Sequence, residues 1–147
     1  TLTTWVHGNS LHLQINSERG GISLRYDDEN GQVAVVKGEK GSSAKICFSI
    51  PVISDPNSKT LPTAVAAILR AKANEKLDGI IHISDGETNI LKGEITILNN
   101  WETNIRLALD NKSISLGIGI TLIINFISPN EIWFSAAGCT IKSNCGA

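Results

Sequence analysis

Apolar and polar residues alternate along most of this chain. In SISLGIGITLIINF, residues 113 to 126, Ile114, Leu116, Ile118, Ile120, Leu122, Ile124 and Phe126 fall on one parity. That is the period of a strand laying one face on a core. The opposite parity holds Ser113, Ser115, Gly117, Gly119, Thr121, Ile123 and Asn125. At about 3.3 Å per residue the run exceeds an ordinary strand, so a bend is expected at its glycines. The same period recurs in LHLQIN (Leu11, Leu13, Ile15), in GISLRY (Ile22, Leu24, Tyr26), in AKICFSI (Ala44, Ile46, Phe48, Ile50) and at Ile105, Leu107 and Leu109.

Turn chemistry separates these runs: Gly20-Gly21, DDENG at 27 to 31, Gly38 and Gly41, the loop from Ser54 to Pro62, DGE at 85 to 87, and Asn99-Asn100. Residues of these types supply positive φ or hydrogen-bond their own backbone. The pattern predicts an all-β, antiparallel, jelly-roll-like sandwich of about nine strands with at most one short helix, forming a single domain over residues 1–147. TAVAAILRAKANEKL, residues 63 to 77, admits two readings. Its alanines, leucines and lysines favour a helix. The alternation of Val65, Ala67, Leu69, Ala71 and Ala73 with Arg70 and Lys72 favours a strand, which would pair with GIIHIS at 79 to 84; the strand is preferred.

Composition narrows the function classes. A formal net charge of −1 with no concentrated basic stretch argues against nucleic acid as a partner. The apolar run from Ile118 to Ile127 is too short, and too interrupted by Gly119 and Asn125, to span a bilayer, so no membrane association is expected. The N-terminal stretch lacks the basic region and apolar core of a signal peptide, and a cytoplasmic location is expected. The cysteines are Cys47, Cys139 and Cys145, without C-x-x-C spacing, so neither a disulfide framework nor a zinc knuckle is indicated. Cys47 reads as a buried inert thiol, and pairing of Cys139 with Cys145 stays open.

Four short motifs, the opening W-V-H-G-N-S, the D-G-E after a strand, the L-G-I-G-I strand and the closing F-S-A-A-G-C, span most of the chain. They resemble a family of small uncharacterised bacterial domains known only as a domain of unknown function. The resemblance implies an all-β single domain. It implies no activity and assigns no residue a role.

No motif for chemistry rises from the sequence. His7, His12 and His82 lack metal-ligand spacing, and DDENG lacks the ordered oxygen ligands of an EF-hand loop, so no metal is expected and DDENG reads as a hairpin turn. G-x-S-x-G is absent, Asp85 and Glu87 sit on an expected exposed turn, and L-G-I-G-I leads into no helix that could cradle a phosphate. No catalytic residue and no cofactor are assigned.

What remains is a surface. Ser115, Gly117, Gly119 and Thr121 form a shallow polar strip, because glycine in a strand removes bulk where another group can approach. With His12, Gln14, Arg25 and His82 from neighbouring strands, and Trp5 and His7 at its margin, that strip would be a groove offering hydroxyl, amide and imidazole groups beside an aromatic ring. Sugars bind such surfaces, their apolar faces on the ring and their hydroxyls on short polar chains. The preferred expectation is a non-catalytic binding module for a carbohydrate or similar polar small molecule. Two alternatives come from other classes: a small cyclase- or isomerase-type enzyme with an apolar sandwich pocket, and an assembly protein in which a second copy covers the glycine strip to form a homo-oligomer.

Overall fold

A computed structural model of the chain describes residues 2–15, 20–27, 29, 31–52, 61–101 and 104–142. Asp28 and Asn30 of DDENG, most of the Ser54–Pro62 loop, and Cys145 lie outside the described residues. Among them the alternating segments form eleven strands rather than nine: β1 (Leu2–His7), β2 (His12–Ile15), β3 (Ile22–Asp27), β4 (Val33–Gly38), β5 (Ser43–Ile50), β6 (Thr63–Ala73), β7 (Leu77–Asp85), β8 (Thr88–Ile97), β9 (Ile105–Ser113), β10 (Ile118–Asn125) and β11 (Asn130–Lys142). One 3-10 turn, Gly8–Ser10, follows β1.

The strands make two antiparallel sheets, one ordered β3-β4-β11-β6-β9 with β1 beside β11, the other β2-β5-β10-β7-β8. β4 pairs with β11, β5 with β10, β6 with β9 and β7 with β8. This nesting, outermost strand with outermost strand and successive pairs dealt to alternate sheets, is a rolled-up hairpin, the jelly-roll form of the sandwich. The core lies between the inner faces, where the rings of Phe48 and Phe134 meet across the sheets at 5.8 Å and 57°, a tilted geometry that aromatic pairs favour.

Residues 63 to 73 are a strand, as preferred, but β6 does not pair with β7. The short link at 74–76 carries the chain to the other sheet, where β7 lies between β10 and β8. The SISLGIGITLIINF run is also not continuous. β9 ends at Ser113 and β10 begins at Ile118; Gly117, at φ 137°, takes a conformation suited to glycine. Leu116, expected on the core parity, is 75% exposed, whereas Ile118, Ile120, Leu122, Ile124 and Phe126 are buried.

Two bulges reset the inward parity. In β11 the register shifts between Phe134 and Ala136, so Ile132 and Phe134 face the core before the shift, and Ala137, Cys139 and Ile141 after it. In β6 the shift between Ala64 and Ala66 places Ala64, then Ala67, Leu69, Ala71 and Ala73, in the core and leaves Val65 out of it. An extra residue in one strand reverses which side chains face inward.

Of the cysteines, Cys47 is half-buried on the outer face of the second sheet, its Sγ 3.7 Å from Thr121 Oγ1, and is not the core thiol expected. Cys139 is the buried one, and burial pushes its thiol up to about 11.

Candidate functional site

The outer face of the β3-β4-β11-β6-β9 sheet carries an aromatic groove. In β11 Trp133 and Ser135 alternate outward with the core-facing Ile132 and Phe134, and β6 presents Arg70 and Lys72 from the next strand. One cross-strand row runs Arg25, Val35, Trp133, Lys72. Trp101, from the β8–β9 connection, comes over the same strands. Arg70 Nη1 donates to the Trp101 carbonyl at 2.8 Å and to Asn104 Oδ1 at 3.2 Å, and its guanidinium lies 5.3 Å from the Trp101 ring centroid. Lys72 Nζ sits 5.1 Å from the Trp133 ring centroid and 5.7 Å from that of Trp101. Both distances fall within cation–π reach. Asp27 and Val33 close one side, giving an open groove of about 400 Å³ lined also by Ser135.

None of Asp27, Arg70, Lys72, Trp101, Trp133 and Ser135 was singled out from the sequence as a binding residue. A signal existed for Trp133: in E-I-W-F-S it occupies the polar parity with Glu131 and Ser135. A tryptophan among solvent-facing residues is unexpected unless something lies on it.

The structure divides the residues expected to form one groove. His12, Gln14, His82, Gly119 and Thr121 do share a face, the outer face of the second sheet. One row there runs His12, Cys47, Thr121, His82, Lys92, and Gln14 and Gly119 lie in the rows on either side. Arg25, Trp5 and His7 belong instead to the outer face of the first sheet, because β1 and β3 hydrogen-bond into that sheet. Arg25 there meets Glu131 at 3.4 Å. Trp5 is 46% exposed and rests on Gly138, where a Cβ would fall 2.7 Å from Trp5 Cε3 and 3.0 Å from the Thr4 carbonyl oxygen. Gly138→Ala is therefore expected to displace β1 and Trp5 and cost roughly 1–3 kcal/mol, read as a lowered denaturant midpoint. A midpoint equal to that of the unaltered protein would show that the ring does not need this contact.

Ser115 and Gly117 are not part of a strand surface. They form the β9–β10 connection, and its backbone wraps the Asp85 carboxylate: Ser115 N donates at 2.8 Å, Ser115 Oγ at 3.1 Å, Leu116 N at 2.7 Å and Gly117 N at 3.2 Å. Asp85, expected on an exposed turn, is only 8% exposed. Burial pushes its carboxyl up, but these donors outweigh burial and hold it below its ordinary value. The Ser115 and Gly117 half of the polar strip is thus engaged by the protein's own carboxylate. Among the described residues, no three His, Cys, Asp or Glu side chains gather as a metal-ligand set.

No family model matches the sequence, and no curated protein matches it. The fold, however, is similar to solved structures. BiXyn10A CBM1 in its apo form superposes with a TM-score of 0.69 at 10% identity, over 92% of this chain and 95% of that one. A family 30 carbohydrate-binding module of a cellulosomal cellulase of Clostridium thermocellum gives 0.56 at 11% identity, over 99% of this chain and 100% of that one. TmCBM61 in complex with beta-1,4-galactotriose gives 0.55 at 12% identity, over 90% and 89%. At such identities the likeness establishes the sandwich fold and leaves the site to be argued from its own residues.

Proposed function

We propose that this chain is a non-catalytic carbohydrate-binding module whose ligand lies across the outer face of the first sheet. The observation carrying this reading is that Trp101 and Trp133 line one open groove with Asp27, Arg70, Lys72 and Ser135. Indole rings cover the apolar faces of sugar rings, and the carboxylate, hydroxyl and cationic groups meet sugar hydroxyls at the rim. Neighbours described as carbohydrate-binding modules, one of them holding beta-1,4-galactotriose, support it at the level of fold. Paired strands present Arg70, Lys72, Trp133 and Ser135, so that part of the groove is set by the sheet. The enzyme alternative asks for an apolar chamber between the sheets, but that space is filled by the side chains that pack around Phe48 and Phe134.

The test is calorimetric titration of a polysaccharide and oligosaccharide panel into the unaltered protein and into Trp133→Ala. Trp133 is only partly buried at the surface, so the variant is expected to keep most of its stability while losing roughly tenfold or more in affinity, as removal of an aromatic anchor does. Binding undiminished in Trp133→Ala, or glycan affinity lost only on substitution of His12 or His82, would move the site to the other face.

A further inference from the structure

Resting on that reading, we infer that the glycan taken by this groove is anionic, a polysaccharide whose sugars carry carboxylate or sulfate groups. Two independent features point to it. The first is the placement of Lys72. Its ammonium lies over both indole rings of the groove, 5.7 Å from the Trp101 ring centroid and 5.1 Å from the Trp133 centroid. A sugar seated on either ring brings its ring substituents to that ammonium. A hydroxyl there gains an ordinary hydrogen bond, whereas a carboxylate or sulfate gains a charge-assisted one in a site partly shielded from water.

The second is the charge of the face. The net charge of the chain is −1, yet the strand rows at the groove hold Arg25, Arg70 and Lys72 against Asp27, with Lys37 opposite Glu131 in the row beside them. That sign is opposite to the sign of the whole molecule, and an uneven distribution of this kind steers a polyanion to one face. Arg70 has a different part from Lys72. Bonded to the Trp101 carbonyl and to Asn104, it holds Trp101 over the groove, while Lys72 reaches the ligand.

Three probes built on galactose separate the sources of charge: neutral beta-1,4-galacto-oligosaccharide, oligogalacturonate as the carboxylate form, and a sulfated galactan oligosaccharide. Each is titrated into the unaltered protein, Lys72→Met, Lys72→Arg and Trp133→Ala at low and at physiological salt. The expected result is preference for one anionic probe over the neutral one by about tenfold or more, weakened by salt. Lys72→Met, which keeps an apolar chain over the indoles but loses the ammonium donor, should abolish that preference, weakening the anionic probe far more than the neutral one. Lys72→Arg should retain the preference, and Trp133→Ala should weaken every probe. Neutral and anionic probes bound equally, or a preference that survives in Lys72→Met, would overturn the anionic inference while leaving the aromatic platform standing. Binding indifferent to Trp133→Ala would overturn the platform itself.

Discussion

Asp85→Ala should cost this protein about 3 kcal/mol or more of folding stability, because removal of the side chain strands donors that the fold has already taken from water. Three backbone N–H groups and one hydroxyl converge on that carboxylate. Each buried donor left unsatisfied costs roughly 1–3 kcal/mol, reduced where water can enter. The connection between β9 and β10 would lose its anchor to the end of β7. The same site gives a pH dependence of fixed sign. The folded-state pKa of Asp85 lies below its ordinary value, so the stability it contributes is fully present above the unfolded pKa of about 4 and is lost as pH falls through the folded value. Denaturant melts from pH 7 down to pH 2 should show the difference between the parent protein and Asp85→Ala shrinking only in the acid range. A difference that stays constant from pH 7 to pH 2 would mean that the charge of the carboxylate contributes nothing.

Phe134→Ala is expected to cost about 3–5 kcal/mol. Phe134 is fully buried, meets the tilted ring of Phe48 from the opposite sheet, and stands immediately before the bulge that resets the inward parity to Ala137. Its loss would open a cavity at the centre of the sandwich, beneath the strand that presents Trp133. Ile120→Ala, on the other sheet and also fully buried, should cost about 2–5 kcal/mol for the same reason. Ser115→Ala, which removes one of the four donors to Asp85, should cost only about 1 kcal/mol. Equal losses for all three variants in equilibrium denaturant melts would contradict this placement of the core.

Local pattern reached a long way in this chain. Ile118, Ile120, Leu122 and Ile124, and Ala44, Ile46, Phe48 and Ile50, face the core as their alternation requires. A sheet with one face buried leaves its period of two directly in the sequence. The end of β3 at Asp27 and the end of β7 at Asp85, before Gly86, fall where turn residues begin. The all-β sandwich was therefore legible. So was the position of Trp5 and His7 on one face of a first strand, since that depends only on neighbours along the chain.

What alternation cannot encode is which strand lies beside which, and where a strand carries an extra residue. β6 and β7 are consecutive yet belong to different sheets, and only the burial of both inner faces at once dictates that crossing. The bulges in β6 and β11 reverse inward parity without changing the composition of the strand, so no count of apolar positions reveals them. Partition between sheets sent Arg25 to one outer face and His12, Gln14 and His82 to the other. It also brought Trp101, from a loop, within reach of Trp133, 32 residues away by number. The sequence by itself determined that this chain pairs strands around an apolar centre, because side-chain alternation is a property of each strand alone. Only the tertiary structure decided which polar and aromatic residues meet outside that centre, because those neighbours are made by hydrogen bonds between strands distant in the chain.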